Sequence, residues 1–286
     1  ENFLSDDILS TVTKGLSIGE YLSHLRVLDL ASCDLSGKGL FPHLINISIQ
    51  EISLADNPLS NDTCIELCQF LESDRPTQFI HIDLSNCELK PRQTAMIFNS
   101  LARCNHVRAM NLDSNDAFMQ TASIARCLSA NTSIEVLDIG HCSLTEISQE
   151  LEEALTRNTT LKLLRINGNK LHDTGAAAIA RVISNKIKNT SHLEDGSPVC
   201  YNIDLSANRI TNNGGQLLLE SIMNCPPSTK IMHTFDLMSN FFSVDLLDAW
   251  QNHLSEHKSK INKLLITHPA LNVSRYFEPC DGVTAT

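Results

Sequence analysis

Cations are scarce in this chain. Its 286 residues include 22 Lys or Arg against 33 Asp or Glu, a formal net charge of −11. A nucleic-acid partner needs a basic face to neutralise phosphates, so this balance argues against one. It argues equally against an anionic membrane surface. Aromatic residues are few as well, with one Trp and three Tyr, which leaves little aromatic surface for contacts. No run approaches the roughly 18 apolar residues that span a bilayer. No basic segment followed by an apolar one opens the chain, so no secretory signal is read there. The chain starts at Glu1 rather than Met, which predicts a fragment or a trimmed product. P-loop, G-x-G-x-x-G, H-E-x-x-H and G-x-S-x-G motifs are all missing. The expectation is a protein with no catalytic residues, no cofactor and no metal.

What the chain does have is a repeat. The stretch Leu25 to Leu35 reads L-x-x-L-x-L-x-x-C-x-L. The same pattern returns at Ile49 to Leu59, Phe79 to Leu89, Val107 to Ala117 and Ile134 to Leu144. It returns again at Leu161 to Leu171, Cys200 to Ile210 and Met232 to Phe242. A weaker ninth copy runs Ile261 to Leu271, with Pro269 where Asn or Cys should stand. Self-similarity of this kind sets the architecture, because a repeat array grows by adding units to one continuous core. The expected organisation is an N-terminal helical cap or truncated repeat over residues 1–24, about nine repeats over 25–271, and a C-terminal tail or cap over 272–286.

Each block predicts a short strand. The fourth and sixth residues point inward and the odd residues between them point outward, as strand alternation requires. The Asn or Cys in ninth place turns the chain, and an Asn side chain there can bond backbone groups of adjacent turns. A helix follows each strand. The clearest carries Ala176, Ile179, Ala180 and Ile183 as an apolar stripe at helical spacing, and a later one carries Gly214, Leu218 and Ile222. At the start of the chain, Ser5-Asp6-Asp7 predicts the cap of a short helix bearing Ile8, Leu9 and Val12.

Strand starts are spaced 24, 30, 28, 27, 27, 39, 32 and 29 residues apart. The short first interval, with Gly37, Gly39 and Pro42, leaves room for little helix. The long sixth interval predicts a protruding polar loop near Lys186 to Val199. Pro269 should end the ladder, leaving the tail to cover the last strand's edge.

Ten cysteines do not read as a disulfide framework. Cys33, Cys87 and Cys142 hold the same place two repeats apart. Strands two repeats apart are about 10 Å apart, beyond the roughly 7 Å Cα limit for a disulfide. Reduced thiols imply a cytosolic or nuclear setting. Cys64 and Cys68 have the one-turn spacing of a metal pair. They stand where Ala176 and Ala180 stand in a later repeat, so they read as small buried helix residues. Six N-x-S/T sequons occur, at Asn46, Asn61, Asn131, Asn158, Asn189 and Asn272. Asn131 and Asn158 hold the same place in successive repeats, which points to turn chemistry rather than glycosylation.

Repeats of about 28 residues, each with a strand, an Asn or Cys turn and a full helix, resemble the ribonuclease-inhibitor-type leucine-rich repeats. The alternation Cys33, Asn57, Cys87, Asn115, Cys142, Asn169 is similar to that of the vertebrate ribonuclease inhibitor and of NOD-like receptor repeats. The resemblance covers roughly residues 20 to 271. It implies an α/β fold: a curved, horseshoe-like leucine-rich-repeat solenoid with a parallel sheet on the concave face and helices on the convex face. It also implies that function lies on the outward residues between the leucines.

In the first five repeats those outward places hold nine acids and no Lys or Arg: Asp29, Asp34, Glu51, Asp56, Asp83, Glu88, Asp113, Asp116 and Asp138. Nine carboxylates on one sheet repel one another, and a basic protein partner would relieve this. The Asp of L-D-L-S strands is also plain repeat consensus, as at Asp204 and Asp236. From the sixth repeat the outward set gains Arg165, Lys170 and Arg209, with Met238 and Phe241 as interface anchors. His81 and His141 lie outward, with no acid–nucleophile set marked around them. The expected function is a non-enzymatic interaction module in a larger assembly, of cytoskeletal or ciliary regulator type. The alternatives are the ligand-sensing repeats of a NOD-like receptor and a RanGAP-like GTPase activator.

Overall fold

Parallel pairing places equivalent residues of successive repeats side by side, and that alignment builds the core. The structure is a computed structural model, described here for residues 5–18, 25–44, 49–73, 81–115, 121–189, 200–225, 231–256, 261–268 and 273–277. It divides into two compact units: residues 1–144 with 157–161, and residues 145–156 with 162–286.

In the first unit the strands are β1 (Val27–Asp29), β2 (Glu51–Ser53), β3 (His81–Asp83), β4 (Ala109–Asn111) and β5 (Val136–Asp138). Each pairs in parallel with the next, so Leu28, Ile52, Ile82, Met110 and Leu137 form one row. All but the edge residue Leu28 are buried. Burying each such side chain contributes about 1.5–3 kcal/mol. The sixth-place residues Leu30, Leu54, Leu84, Leu112 and Ile139 form a second buried row. Helix α1 (Asp6–Ile18) precedes β1, and between the strands lie α2 (Phe41–Leu44), α3 (Asn61–Glu72), α4 (Pro91–Leu101) and α5 (Thr121–Ala130). The four-residue α2 fits the short first interval. Ser60 caps α3 by accepting from the Thr63 N–H at 3.1 Å, and Pro91 opens α4, where its missing N–H costs nothing.

The N-terminal helix departs from its expected stripe. Leu9 is buried, whereas Ile8 and Val12 are exposed, because no described element packs on that side of α1. Ser5 caps the helix by accepting from the Ile8 N–H at 3.4 Å. Asp6 works across the repeat instead, accepting from Gly37 N–H at 2.9 Å and Ser36 Oγ at 2.6 Å.

The second unit holds α6 (Gln149–Arg157, whose last residue belongs to the first unit), β6 (Leu163–Arg165), α7 (His172–Asn189), β7 (Asn202–Asp204), α8 (Asn212–Met223), β8 (Met232–Asp236), α9 (Val244–Glu256), β9 (Ile261–His268) and β10 (Val273–Phe277). Leu164, Ile203, Phe235 and Leu264 form its central row, through parallel pairing of β6 to β9. The stripe Ala176, Ile179, Ala180, Ile183 is buried as expected. Helices α7 and α8 approach closely at Gly214, where an added Cβ would come within 2.6 Å of Ile210 and 2.9 Å of Ala176. Trp250 of α9 is fully buried, its ring 6.2 Å from Phe235. Strand β10 runs antiparallel along β9, with Val273 opposite His268 and Phe277 opposite Leu264.

The long sixth interval corrects one expectation. Lys186 is not in a loop. Helix α7 runs on to Asn189, and Lys186 is buried on the stripe that Ile179 and Ile183 begin. The rest of the expected insertion, residues 190–199, lies outside the described residues.

Candidate binding surface

The ninth-place side chains hold the turns. Asn57, Asn115, Asn169, Asn208 and Asn240 are all buried. Asn57 Nδ2 donates to Leu30 O of the preceding repeat at 2.8 Å and to Leu54 O of its own at 2.9 Å. Its Oδ1 accepts from the backbone N–H groups of Cys33 and Leu35. Cys87 and Cys142 keep only the donor half of this role: their Sγ atoms lie 3.1 Å from Leu54 O and 3.2 Å from Leu112 O. The nine described cysteines are free. A second set of asparagines supports the strand entries. Asn131 Nδ2 donates to Leu101 O and Asn158 Nδ2 to Leu128 O, while their Oδ1 atoms accept from Ile134 and Leu161 N–H. Both are buried, so these two sequons serve turns.

With the turns fixed, the outward residues of the fifth, eighth and tenth places each form a column. In the fifth-place column, carboxylates turn back on their own backbone. Asp29 accepts from Ala31 N–H at 3.0 Å, Asp83 from Ser85 N–H at 2.9 Å and Asp138 from Gly140 N–H at 3.0 Å. Asp204 and Asp236 do the same with Ser206 and Met238. Asp138 is 9% exposed, which corrects its placement on the accessible face.

The eighth-place column has left-handed backbone throughout: Ser32, Asp56, Asn86, Ser114, His141, Gly168, Ala207 and Ser239 have φ between 47° and 63°. Here the acids bond laterally to neighbours. Asp56 accepts from Asn86 Nδ2 at 2.7 Å and from Ser32 Oγ at 3.2 Å. The seventh-place Asp113 accepts from Ser114 Oγ at 2.6 Å and meets His141 Nδ1 at 2.8 Å. Glu51, in third place, lies 3.7 Å from His81 Nδ1. Both outward histidines therefore sit beside an acid of the preceding repeat.

In the tenth-place column, Asp34 and Glu88 are exposed, and neither has a hydrogen bond or ion pair among the described residues. Asp116 lies outside the described residues. In the second unit this column reads Lys170, Arg209, Phe241, all exposed. Arg165 is also exposed, whereas Met238 is half-buried.

No three His, Cys, Asp or Glu side chains come together as a metal-ligand set among the described residues. Cys64 and Cys68 are buried, and burial pushes the Cys64 thiol up to about 12, which works against a thiolate ligand. One cluster escaped the sequence reading. Lys186 Nζ lies 5.1 Å from the centroid of the buried Tyr201 ring, beside buried Cys200. Its signal was there: Lys186 follows Ile183 by three residues on the apolar stripe. No helix among the described residues is long and apolar enough to cross a membrane.

Comparison with known proteins follows the same lines. A leucine-rich-repeat family model matches residues 21–42 and 157–180. The chain is similar to the mouse protein named NACHT, LRR and PYD domains-containing protein 9C, with 27% identity over 188 residues, 63% of this chain and 18% of that protein. Mouse proteins 9B and 14 of the same naming series match at 28% identity over 183 and 182 residues, again 18% of each relative. The chain thus spans less than a fifth of the length of the curated relatives it matches.

Proposed function

This chain is a leucine-rich-repeat protein, and we propose that its repeats are the partner-binding part of a NOD-like-receptor-type protein, acting by recognition and not by catalysis. The likeness to three proteins whose names include NACHT, LRR and PYD domains supports this assignment over a cytoskeletal or ciliary scaffold and over a RanGAP-type activator, for which no observation speaks. Free thiols fit an intracellular setting.

The observation that carries the binding mode is the exposed run Asp34, Asp56 and Glu88 across three successive repeats of the first unit. These acids stand on a frame that the leucines and asparagines already hold, so binding need not reorganise the fold. Uncompensated charge of one sign raises the on-rate of an oppositely charged partner and selects against others. The partner is accordingly a protein with a basic surface. Asp83 and Asp138 contribute less, since the first is half-buried and the second buried.

The test is a charge reversal of D34K, D56K and E88K together in the full protein, with partners quantified by mass spectrometry after affinity capture. At least one partner should fall about tenfold, which corresponds to about 1.4 kcal/mol. An unchanged partner set, with an unchanged unfolding temperature, defeats the proposal.

A further inference from the structure

The tenth-place column of the second unit is unlike that of the first. Lys170, Arg209 and Phe241 follow one another in three successive repeats. Backbone bonds join those repeats at this level: His172 N–H donates to Asn208 O at 3.0 Å and Phe241 N–H to Ile210 O at 2.7 Å. Adjacent repeats are about 4.8 Å apart where their strands pair, and Phe241 stands opposite Thr211, two residues past Arg209, so the three positions lie on the order of 10 Å apart. That is the length of about three residues of extended chain.

Two features set this column apart. Phe241 is 55% exposed, the highest value among the described large apolar side chains that are exposed. Lys170 and Arg209 are exposed cations with no ion pair among the described residues, although the chain carries an excess of acids. The acids of the same repeats bond to backbone and hydroxyl groups. Asp173 accepts from the Thr211 N–H at 2.7 Å and from Thr211 Oγ1 at 2.6 Å. Asp204 and Asp236 accept from the N–H groups of Ser206 and Met238.

We propose that Lys170, Arg209 and Phe241 form a second docking site, whose occupant is an acidic protein segment carrying one large apolar side chain. The cations supply charge complementarity to the acids of that segment. Phe241 supplies an aromatic face for its apolar residue, the type of anchor that dominates interfaces. An anionic membrane is the poorer match, because the net charge of −11 opposes approach to one. The site is of opposite sign to the acidic run of the first unit and stands independently of it.

The experiment pans a randomised nonapeptide phage library on the intact chain. Enriched peptides should combine Asp or Glu with one large apolar residue. A fluorescein-labelled synthetic copy of the leading peptide should bind about tenfold more weakly to F241A and, independently, to K170E/R209E. It should bind unchanged to D34K/D56K/E88K, which separates this site from the acidic one. All three variants change exposed side chains and should keep the parent unfolding temperature. The proposal is overturned by failure to enrich acidic peptides, or by affinity that neither F241A nor K170E/R209E alters. Binding to phosphatidylserine vesicles that those variants abolish would also overturn it.

Discussion

Asn115 holds the backbone of Cys87 from one repeat away: its Oδ1 accepts the Cys87 N–H at 3.1 Å, and the Leu89 N–H at 3.0 Å. Its Nδ2 donates to Leu84 O at 2.8 Å and Leu112 O at 2.9 Å. One buried amide thus satisfies backbone groups of two repeats. Asn240 does the same for Asn208 and Ile210. Repeats of this kind cannot close their own turns, which is why the ninth place admits so few residue types.

Asn115→Ala should therefore cost about 3–5 kcal/mol, since each buried group left unpaired costs about 1–3 kcal/mol. Cys142→Ala should cost about 1–2 kcal/mol, because it removes one weak thiol bond and little volume. Urea unfolding gives both values. Equal costs would show that leucine packing, and not the amide, closes the turns.

The acids should separate by duty. Asp138→Ala removes a buried acceptor from the Gly140 N–H and should destabilise by about 1–3 kcal/mol. Glu88→Ala alters an exposed side chain and should stay within about 0.5 kcal/mol. Thermal unfolding of the two variants decides this, and a costly Glu88→Ala would mean that its charge is structural too.

The repeat could be read from the chain because its signal is physical and periodic. Leucines at places four, six and eleven have one destination, and among the described residues the structure buries all of them but Leu28 at the sheet's edge. Asp138 misled because strand alternation says which side a residue faces, not how far its neighbours cover it: Asp29 and Asp83 make the same turn bond and stay exposed and half-buried. The eighth-place left-handed backbone was also invisible, where the residue is Ser, Ala or His rather than Gly. Lys186 misled for a related reason. Polar neighbours in the Lys186 to Val199 stretch suggested a loop, while its helical register with Ile179 and Ile183 put it inside. Lys170 and Arg209 were legible as outward cations. That neither forms an ion pair among the described residues was not, since Asp173 bonds Thr211 across a gap of 38 residues.

Thiol chemistry should report burial directly. Burial pushes Cys64, Cys87 and Cys127 up to about 12, whereas Cys33 is only half-buried. In a Cys280→Ser background, Ellman's reagent at neutral pH should therefore modify Cys33 first, with the others reacting only on unfolding. The folded thiols bind protons more tightly than unfolded ones, whose value is about 8.5. Their contribution is intact below about 8.5 and is lost as pH rises toward 12. A urea midpoint that does not fall between pH 8.5 and 10.5 would contradict the buried assignment.

Lys186 should oppose that trend. Loss of hydration lowers its pKa, with nearby Cys200 acting in the other direction, and the Tyr201 ring offers only partial compensation for the charge. A lysine with a depressed folded value is charged in both states at low pH, where the fold bears the full cost of the buried ammonium. As pH rises from that folded value toward the roughly 10.4 of a free lysine, the folded side chain gives up its proton before the unfolded one does. Stability contributed at this site then increases with pH. Replacing the charge by Lys186→Met, of similar length and apolar, should stabilise by about 1 kcal/mol at pH 7. The advantage should shrink as pH rises to 10.5. Comparing the two proteins by urea unfolding at pH 7, 9 and 10.5 cancels the shared thiol effect to first order. A variant that is less stable at every pH would mean that the ammonium–ring contact outweighs the lost hydration, and the cluster of Lys186, Tyr201 and Cys200 would then be a stabilising element of the second unit.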